Sequence, residues 1–364
     1  MENLVAWLLL SDKNRPRKKM QELARDFEKK KKTLDMTSPT VADICQSFEK
    51  ALKAGYGIIT YMDESYPDEL RNIAYPPPYL FTRGNVNLLN YPVKIAMVGS
   101  REATVYGMNV AADFAHHFAE NNICVVSGGA RGIDTAALRG AMRAGSRVIA
   151  VVGTGIDVNY PKENAELFNK IASSGGLVVS EFPMGMGPMR ENFPIRNRVM
   201  TAISDTTVVV EAAEKSGALI SAGHAIEQGK TVFAVPGNID SPNSVGTNRL
   251  LKEGAAFALS GKDVVEELLE RKPEKFRSAQ NYCESVAEEK VILTKPEVKA
   301  EKEEKTYTPF EQAVVNALNA GKETYEEIQQ FTLMDTKRLT SLLTIMEIKG
   351  IIKLAFRNKY KLNE

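Results

Sequence analysis

Cysteine is scarce in this chain. Cys45, Cys124 and Cys283 are the only three in 364 residues, and their wide spacing offers neither a disulfide framework nor a zinc pattern. Histidine is equally rare. His116 and His117 fall in an amphipathic stretch, YGMNVAADFAHHFAEN, and His224 follows a Ser-Gly turn. None stands beside a serine or cysteine in a nucleophile motif, so no catalytic triad is expected. Long hydrophobic runs are missing too. The N-terminal LVAWLLL is too short to span a bilayer, and charges rather than a cleavage site follow it. Net charge is only +1, so no global field selects a partner and any anion site must be local. Together these absences lead us to expect a cytoplasmic chain in a reducing compartment, without structural metal or cofactor.

What the chain does have is alternation. With 43% hydrophobic and 26% charged residues, it can fill two or three domains around one large core. From 93 to about 268, apolar β-branched runs recur at VKIAMVG, ICVVSG, RVIAVVG, LVVSE, TTVVVEA and TVFAVPG, with a shorter seventh at AFAL. Helical patterns separate most of them. That spacing predicts an α/β fold: a mainly parallel sheet with helices on both faces. Residues 1–55 read as a small helical domain carrying a basic stretch at 13–32, with 12 Lys/Arg against 8 Asp/Glu. Residues 56–92 are turn-rich, and Pro76–Pro78 exclude regular helix or a central strand there. They are expected to strap onto the α/β domain, which therefore runs over 56–268. Residues 269–305 are charged and read as a mobile linker. Residues 306–364 read as three helices, at 309–319, 323–331 and 335–349, followed by a hairpin. That pattern is a winged helix, made basic at its end by Lys349, Lys353, Arg357, Lys359 and Lys361.

The chemistry gathers at strand ends. VVSGGARGIDTAA (125–137) is a glycine turn from strand to helix, a place where backbone N–H groups and the helix dipole favour an anion. Gly99-Ser100-Arg101, Gly153-Thr154-Gly155, Lys215-Ser216-Gly217 and Pro236-Gly237-Asn238 end other strands or open the next helix. One such loop is weak evidence. Five at one edge of one sheet line a shared groove. The groove is not a dinucleotide site, because the first strand ends GSREATVYG without the three-glycine fingerprint and the second ends without an acid. Nor is it a P-loop, since no Gly-Lys-Ser/Thr run occurs.

The segment EFPMGMGPMRENFPIRNRVMTAISD (181–205) clusters Arg190, Arg196 and Arg198 around Asn192, Phe193 and Asn197. Arginines fork onto phosphate, and an aromatic among them stacks on an unpaired base. The competing reading buries Phe193 in the core and pairs the arginines with Glu181 or Glu191. Asp134, Glu181 and Glu211 stand near strand ends, where they can cap helices, hold arginines or act as a base. The sequence leaves these roles open.

In order and spacing, seven motifs between about 61 and 260 resemble the DNA-processing protein A family (DprA/Smf). They are YPDELRNIAYPPPYLFTRGN, VGSREATVYG, VVSGGARGIDTAALRGAMRAG, GTGIDVNYPKEN, FPIRNRVMTAIS, VVVEAAEKSGALISAGHAIEQGK and VFAVPGNIDSPNSVGTNRLLKEGA. Two departures stand out. LSDKNRPRKK occupies the place where many members carry a Gly-Ile-Gly turn in a sterile-alpha-motif-like or helix-hairpin-helix module, and Ala218 replaces a common serine. The resemblance implies a Rossmann-like domain with a winged-helix tail. It implies a non-catalytic single-stranded DNA-binding protein that shields incoming strands in natural transformation. Such proteins act as homodimers and help load a RecA-type recombinase. Carried over by motif, the binding residues are Ser100, Arg101, Gly128, Gly129, Arg131, Gly132, Arg190, Asn192, Phe193, Arg196, Asn197, Arg198, Lys215, Ser216 and Gly217. Two rival functions remain. One is a phosphoribohydrolase-like nucleotide N-glycosyl hydrolase, although EAAEKSGALISAG lacks the Pro-Gly-Gly-x-Gly-Thr-x-x-Glu run of those enzymes. The other is a protein-binding scaffold.

Overall fold

Every apolar run singled out between 93 and about 268 becomes a strand, while LVAWLLL lies outside the described residues. The computed structural model describes, besides Gln21, residues 39–145, 147–293 and 309–334 and part of 336–362. It divides into two units, 1–291 and 292–364. The N-terminal basic stretch at 13–32 lies outside the described residues apart from Gln21.

In the first unit the predicted strands are β3 (Lys94–Val98), β4 (Cys124–Ser127), β5 (Val148–Val151), β6 (Leu177–Ser180), β7 (Thr206–Val209), β8 (Thr231–Ala234) and the two-residue β9 (Ala256–Phe257). All seven run parallel. Every residue of β3 to β7 is buried. Successive side chains of a strand point to opposite faces, so both faces are covered, which is why these runs are apolar throughout rather than alternating.

Two further strands, β1 (Gly57–Thr60) and β2 (Tyr79–Gly84), extend one edge antiparallel, with Ile58 opposite Phe81 and Phe81 opposite Ser180. Thus the turn-rich 56–92 stretch does more than strap the domain: it supplies sheet. The three prolines lie just before β2 and leave its ladder intact. Helix α1 (Pro39–Lys53) packs on this edge, with the Phe48 ring 5.2 Å from Tyr79 and 5.4 Å from Phe81.

The order is β1-β2-β6-β5-β4-β3-β7-β8-β9. The chain winds outward from β3 to β6, then returns to β7 on the other side of β3. The loops after β3 and β7 therefore diverge and open a crevice at the carboxyl ends of the strands.

Charged composition over 269–305 predicts an irregular linker, but Pro273–Leu293 is helical. Phe276, Ala279 and Tyr282 fall on one face of that helix and pack against the body. The Tyr282 ring meets Tyr91 edge-on at 5.1 Å. Helix Gly261–Arg271 precedes it, closed at its start by a Ser260–Asp263 capping box.

The second unit has helices Pro309–Asn319 and Tyr325–Thr332 and an antiparallel hairpin, Ile352–Ala355 with Lys359–Leu362. Leu339, Leu343 and Met346, at helical spacing, join Val314, Ile328 and Ile352 in its own core. Among the described residues no helix is long and apolar enough to cross a membrane.

Candidate nucleic-acid interface

The crevice is built from turns that hold each other. After β3, the Ser100 N–H donates to the Glu211 carbonyl at 2.9 Å, and the Ser100 carbonyl accepts from the Ile133 N–H at 3.2 Å. The second bond joins the Gly-Ser-Arg turn to helix α4 (Ile133–Arg143), which leaves the glycine loop. (Helices α2, Asp68–Arg71, and α3, Val105–Glu120, precede it.) Gly132 makes this approach possible. Its φ is +71°, and a Cβ there would lie 2.3 Å from the Ser100 carbonyl oxygen.

Helix α5 (Ala165–Ser173) follows β5, and helix α6 (Asn192–Ala202) follows β6. Phe193 stands in the first turn of α6, half-buried. The Arg101 guanidinium lies over its ring at 4.8 Å. Tyr160 meets the ring at 5.6 Å with a 43° tilt. Gly153 at the end of β5 leaves room for it, since a Cβ there would come within 2.9 Å of the ring. Ser100, Arg101, Gly132 and Phe193 are thus brought together. Phe193 is neither a core ring nor a free one: it is a shelf with one cation over it. Arg101, Arg190 and Lys215 are exposed. Among the described residues Arg190 and Lys215 form no ion pair or side-chain hydrogen bond.

Other expected contact residues form the frame beneath. Arg196 is 4% exposed. It donates to the carbonyls of Gly128, at 2.6 Å, and Val151, and its Nε donates to Asn197 Oδ1 at 3.1 Å. Burial pulls its pKa down to about 10, against the opposing pull of Asp134. Its fork is spent on backbone, so Arg196 is corrected from a phosphate ligand to a stitch between the glycine loop and β5.

Arg198 is engaged on one side of its fork. It pairs with Glu181 at 2.6 Å, and the Glu181 carboxyl is pushed up by burial while Arg198 pulls it down. Arg196 and Arg198 stand two positions apart on a helix and so point to different sides. Asn192 and Asn197 are buried. Asn192 Nδ2 contacts Met186 Sδ at 3.3 Å, and Asn197 Nδ2 reaches the Gly217 carbonyl at 3.4 Å. Gly128 and Gly129, the first two residues of the loop, are buried.

Arg131 is exposed at the margin and paired with Glu163 at 2.5 Å. Ser216 caps helix α7 (Gly217–Glu227), accepting from the Ala218 N–H at 3.2 Å. Asn197 joins that turn to the frame. The three acids all serve the scaffold. Glu211, 3% exposed, accepts from the Thr104 N–H at 3.0 Å and the Thr104 hydroxyl at 2.5 Å. Asp134 accepts from the Ala130 N–H at 3.3 Å, and its burial raises its pKa. Tyr160 is the neighbour that sequence reasoning missed. Its signal was present in VNYPKEN, an aromatic in the loop that follows β5.

The profile of the family described as DNA recombination-mediator protein A matches residues 57–269. The chain belongs to that family. The match takes in all nine strands of the large sheet and most of helix Gly261–Arg271. Membership sets the chain among DNA-processing, recombination-mediator proteins. It is 39% identical to DNA processing protein DprA of Streptococcus pneumoniae over 226 residues, 62% of this chain and 77% of that one. It is 37% identical to DprA of Bacillus subtilis, over 60% of this chain and 73% of that one. The crystal structure of the pneumococcal DprA superposes with a TM-score of 0.59 at 34% identity, covering 73% of this chain and 93% of that one. A structure of DprA from Helicobacter pylori, described by its single-stranded DNA binding mode, gives a TM-score of 0.53 at 30% identity, covering 59% and 96%.

In this family member the tail hairpin is less basic than its composition. Glu323 lies 2.9 Å from Lys359 and 3.9 Å from Lys361, and the lysines hold its carboxyl below the usual range.

Proposed function

We propose that this recombination mediator binds single-stranded DNA across the carboxyl edge of its parallel sheet, without regard to base sequence and without chemistry on the strand. In this reading it shields incoming strands in the cytoplasm during natural transformation and helps load a RecA-type recombinase. The observation that carries the reading is Phe193, half-buried at the crevice with Arg101 at 4.8 Å over its ring. A ring so held stacks on an unpaired base, and a duplex, whose bases are already stacked, offers none. Arg101, Arg190 and Lys215 are cations available to the phosphates. The binding mode by which the Helicobacter pylori relative is described supports the same ligand class.

The unit of action is a homodimer. At the sheet edge formed by β9, Phe257, Leu259 and Ile226 are 57%, 72% and 60% exposed, an apolar group that a second copy would cover. Two grooves on one long strand gain avidity. The tail unit is the winged helix, and with Glu323 set among its lysines it serves a protein contact rather than a DNA one.

The test is anisotropy of the full chain at fixed salt with oligothymidine and with duplex of equal length. Clear preference for the single strand is expected. Equal affinity for both overturns the reading. Release of free base from nucleoside monophosphates by the pure chain would support the hydrolase instead.

A further inference from the structure

A second charged feature lies on the flank of the sheet, between α4 and α5. It is an open trough of about 330 Å³. Arg139 and Arg143, one helical turn apart on α4, line one wall. Glu166 and Lys170, also one turn apart, line the other on α5, with Glu163 just before them. All five are exposed. Among the described residues Arg139, Arg143 and Lys170 form no ion pair and no side-chain hydrogen bond through their charged groups. Glu163 is already engaged by Arg131 at 2.5 Å. With that pair set aside, three cations face the single acid Glu166.

The trough is joined to the crevice. Arg131 belongs to the Gly128–Gly132 loop, and its partner Glu163 lines the trough. Asn164, beside Glu163, donates to the Gly129 carbonyl at 3.0 Å and to Thr135 Oγ1 at 2.7 Å. The start of α5 is thereby tied to the glycine loop and to the start of α4. The trough thus begins where the glycine loop ends and runs down the two helices.

We propose that this trough is a second track for the phosphate backbone, taking the part of a long single strand that leaves the crevice past Gly128–Gly132. This rests on the single-strand reading above. Unpaired arginines in an elongated channel suit a polyanion that follows it. A protein interface would instead present an apolar centre. Only two of the lining side chains, Leu167 and Met142, are apolar, and they are buried and half-buried. Arg131 can exchange Glu163 for a phosphate as the strand passes, so the ion pair sits at the junction of the two tracks.

The experiment compares oligothymidines of about six and about twenty nucleotides on the full chain, by anisotropy over a salt series. Arg139→Ala with Arg143→Ala should weaken the long strand about tenfold and flatten its salt slope by about 1.4, since each phosphate neutralised on a single strand contributes about 0.7. The short strand should bind as before. Glu166→Gln should tighten the long strand, a gain that misfolding cannot produce. Unchanged long-strand affinity in both variants overturns the track and would make the trough a surface for a protein partner. Equal loss on both lengths also overturns it. Arg101→Ala serves as the independent control. If it fails to weaken the short strand, the crevice reading falls; if it weakens the short strand while the trough variants change nothing, only the trough falls.

Discussion

Phe193 and Arg196 lie three positions apart in one helix and have opposite roles. Phe193 offers a face at the crevice, whereas Arg196 spends its guanidinium on the Gly128 and Val151 carbonyls beneath it. Phe193→Ala should therefore cost about 1–3 kcal/mol of single-strand affinity and leave the salt slope nearly intact, because stacking releases no counterions. Phe193→Tyr should keep most of the binding. The ring is only half-buried, so its removal should cost less stability than the roughly 3–5 kcal/mol of a fully buried phenylalanine. Anisotropy and a thermal melt on one preparation check both statements. A large fall in melting temperature with normal binding by the folded fraction would take Phe193 out of the site. Arg196 could not be placed from sequence. Its acceptors lie 68 and 45 positions away, at the ends of other strands, and no local pattern reports carbonyls left without donors at a strand end.

Helix α6 carries Phe193 at one end, and Lys230 holds the other. The Lys230 ammonium donates to the carbonyls of Thr201 at 2.8 Å, of Ala202, and of Ser204 at 2.5 Å. These are carbonyls that a helix end leaves without intrahelical partners. Burial lowers the Lys230 pKa to about 8, with Asp205 and Glu69 pulling the other way. An unfolded lysine titrates near 10.4. Between about pH 8 and 10 the unfolded chain thus keeps a proton that the folded chain gives up, so the fold gains from Lys230 as pH rises through that window. Lys230→Met should cost about 1–3 kcal/mol for acceptors left without a donor, and urea melts should show the gap to wild type widening from pH 8 to pH 10. A gap independent of pH would mean that the folded amine keeps its proton as readily as an unfolded lysine does. At this scale legibility is uneven. The buried parallel strands announce themselves as apolar β-branched runs. Strands β1 and β2 do not, being short, unalternating and separated by a proline-rich turn. Helix Pro273–Leu293 hides because its stripe of Phe276, Ala279 and Tyr282 is diluted by charge. The crevice was legible as glycine turns at strand ends. Which arginines face into it was not, since that depends on how α6 is rotated against strands distant in sequence.

For the whole molecule, 47 basic and 46 acidic side chains nearly cancel. A polyanion approaching this chain meets no broad attractive field, and its affinity must come from a few contacts at short range. The salt dependence of binding therefore counts those contacts. Each phosphate neutralised on a single strand contributes about −0.7 to the log–log slope, so Arg101→Ala and Arg190→Ala should each flatten the slope by about that amount. Both should weaken homopolymer and mixed-sequence strands alike, because a contact to phosphate carries no base information. Association measured over a salt series on short strands checks this without interference from the trough. Slopes equal to wild type would assign the two arginines to the fold. The opposite surplus is equally informative. A wild-type slope on short strands steeper than Arg101, Arg190 and Lys215 can supply would require phosphate contacts outside the crevice, and the basic stretch at 13–32 is the first place to look for them. Its deletion should then bring the slope down to the value those three cations account for.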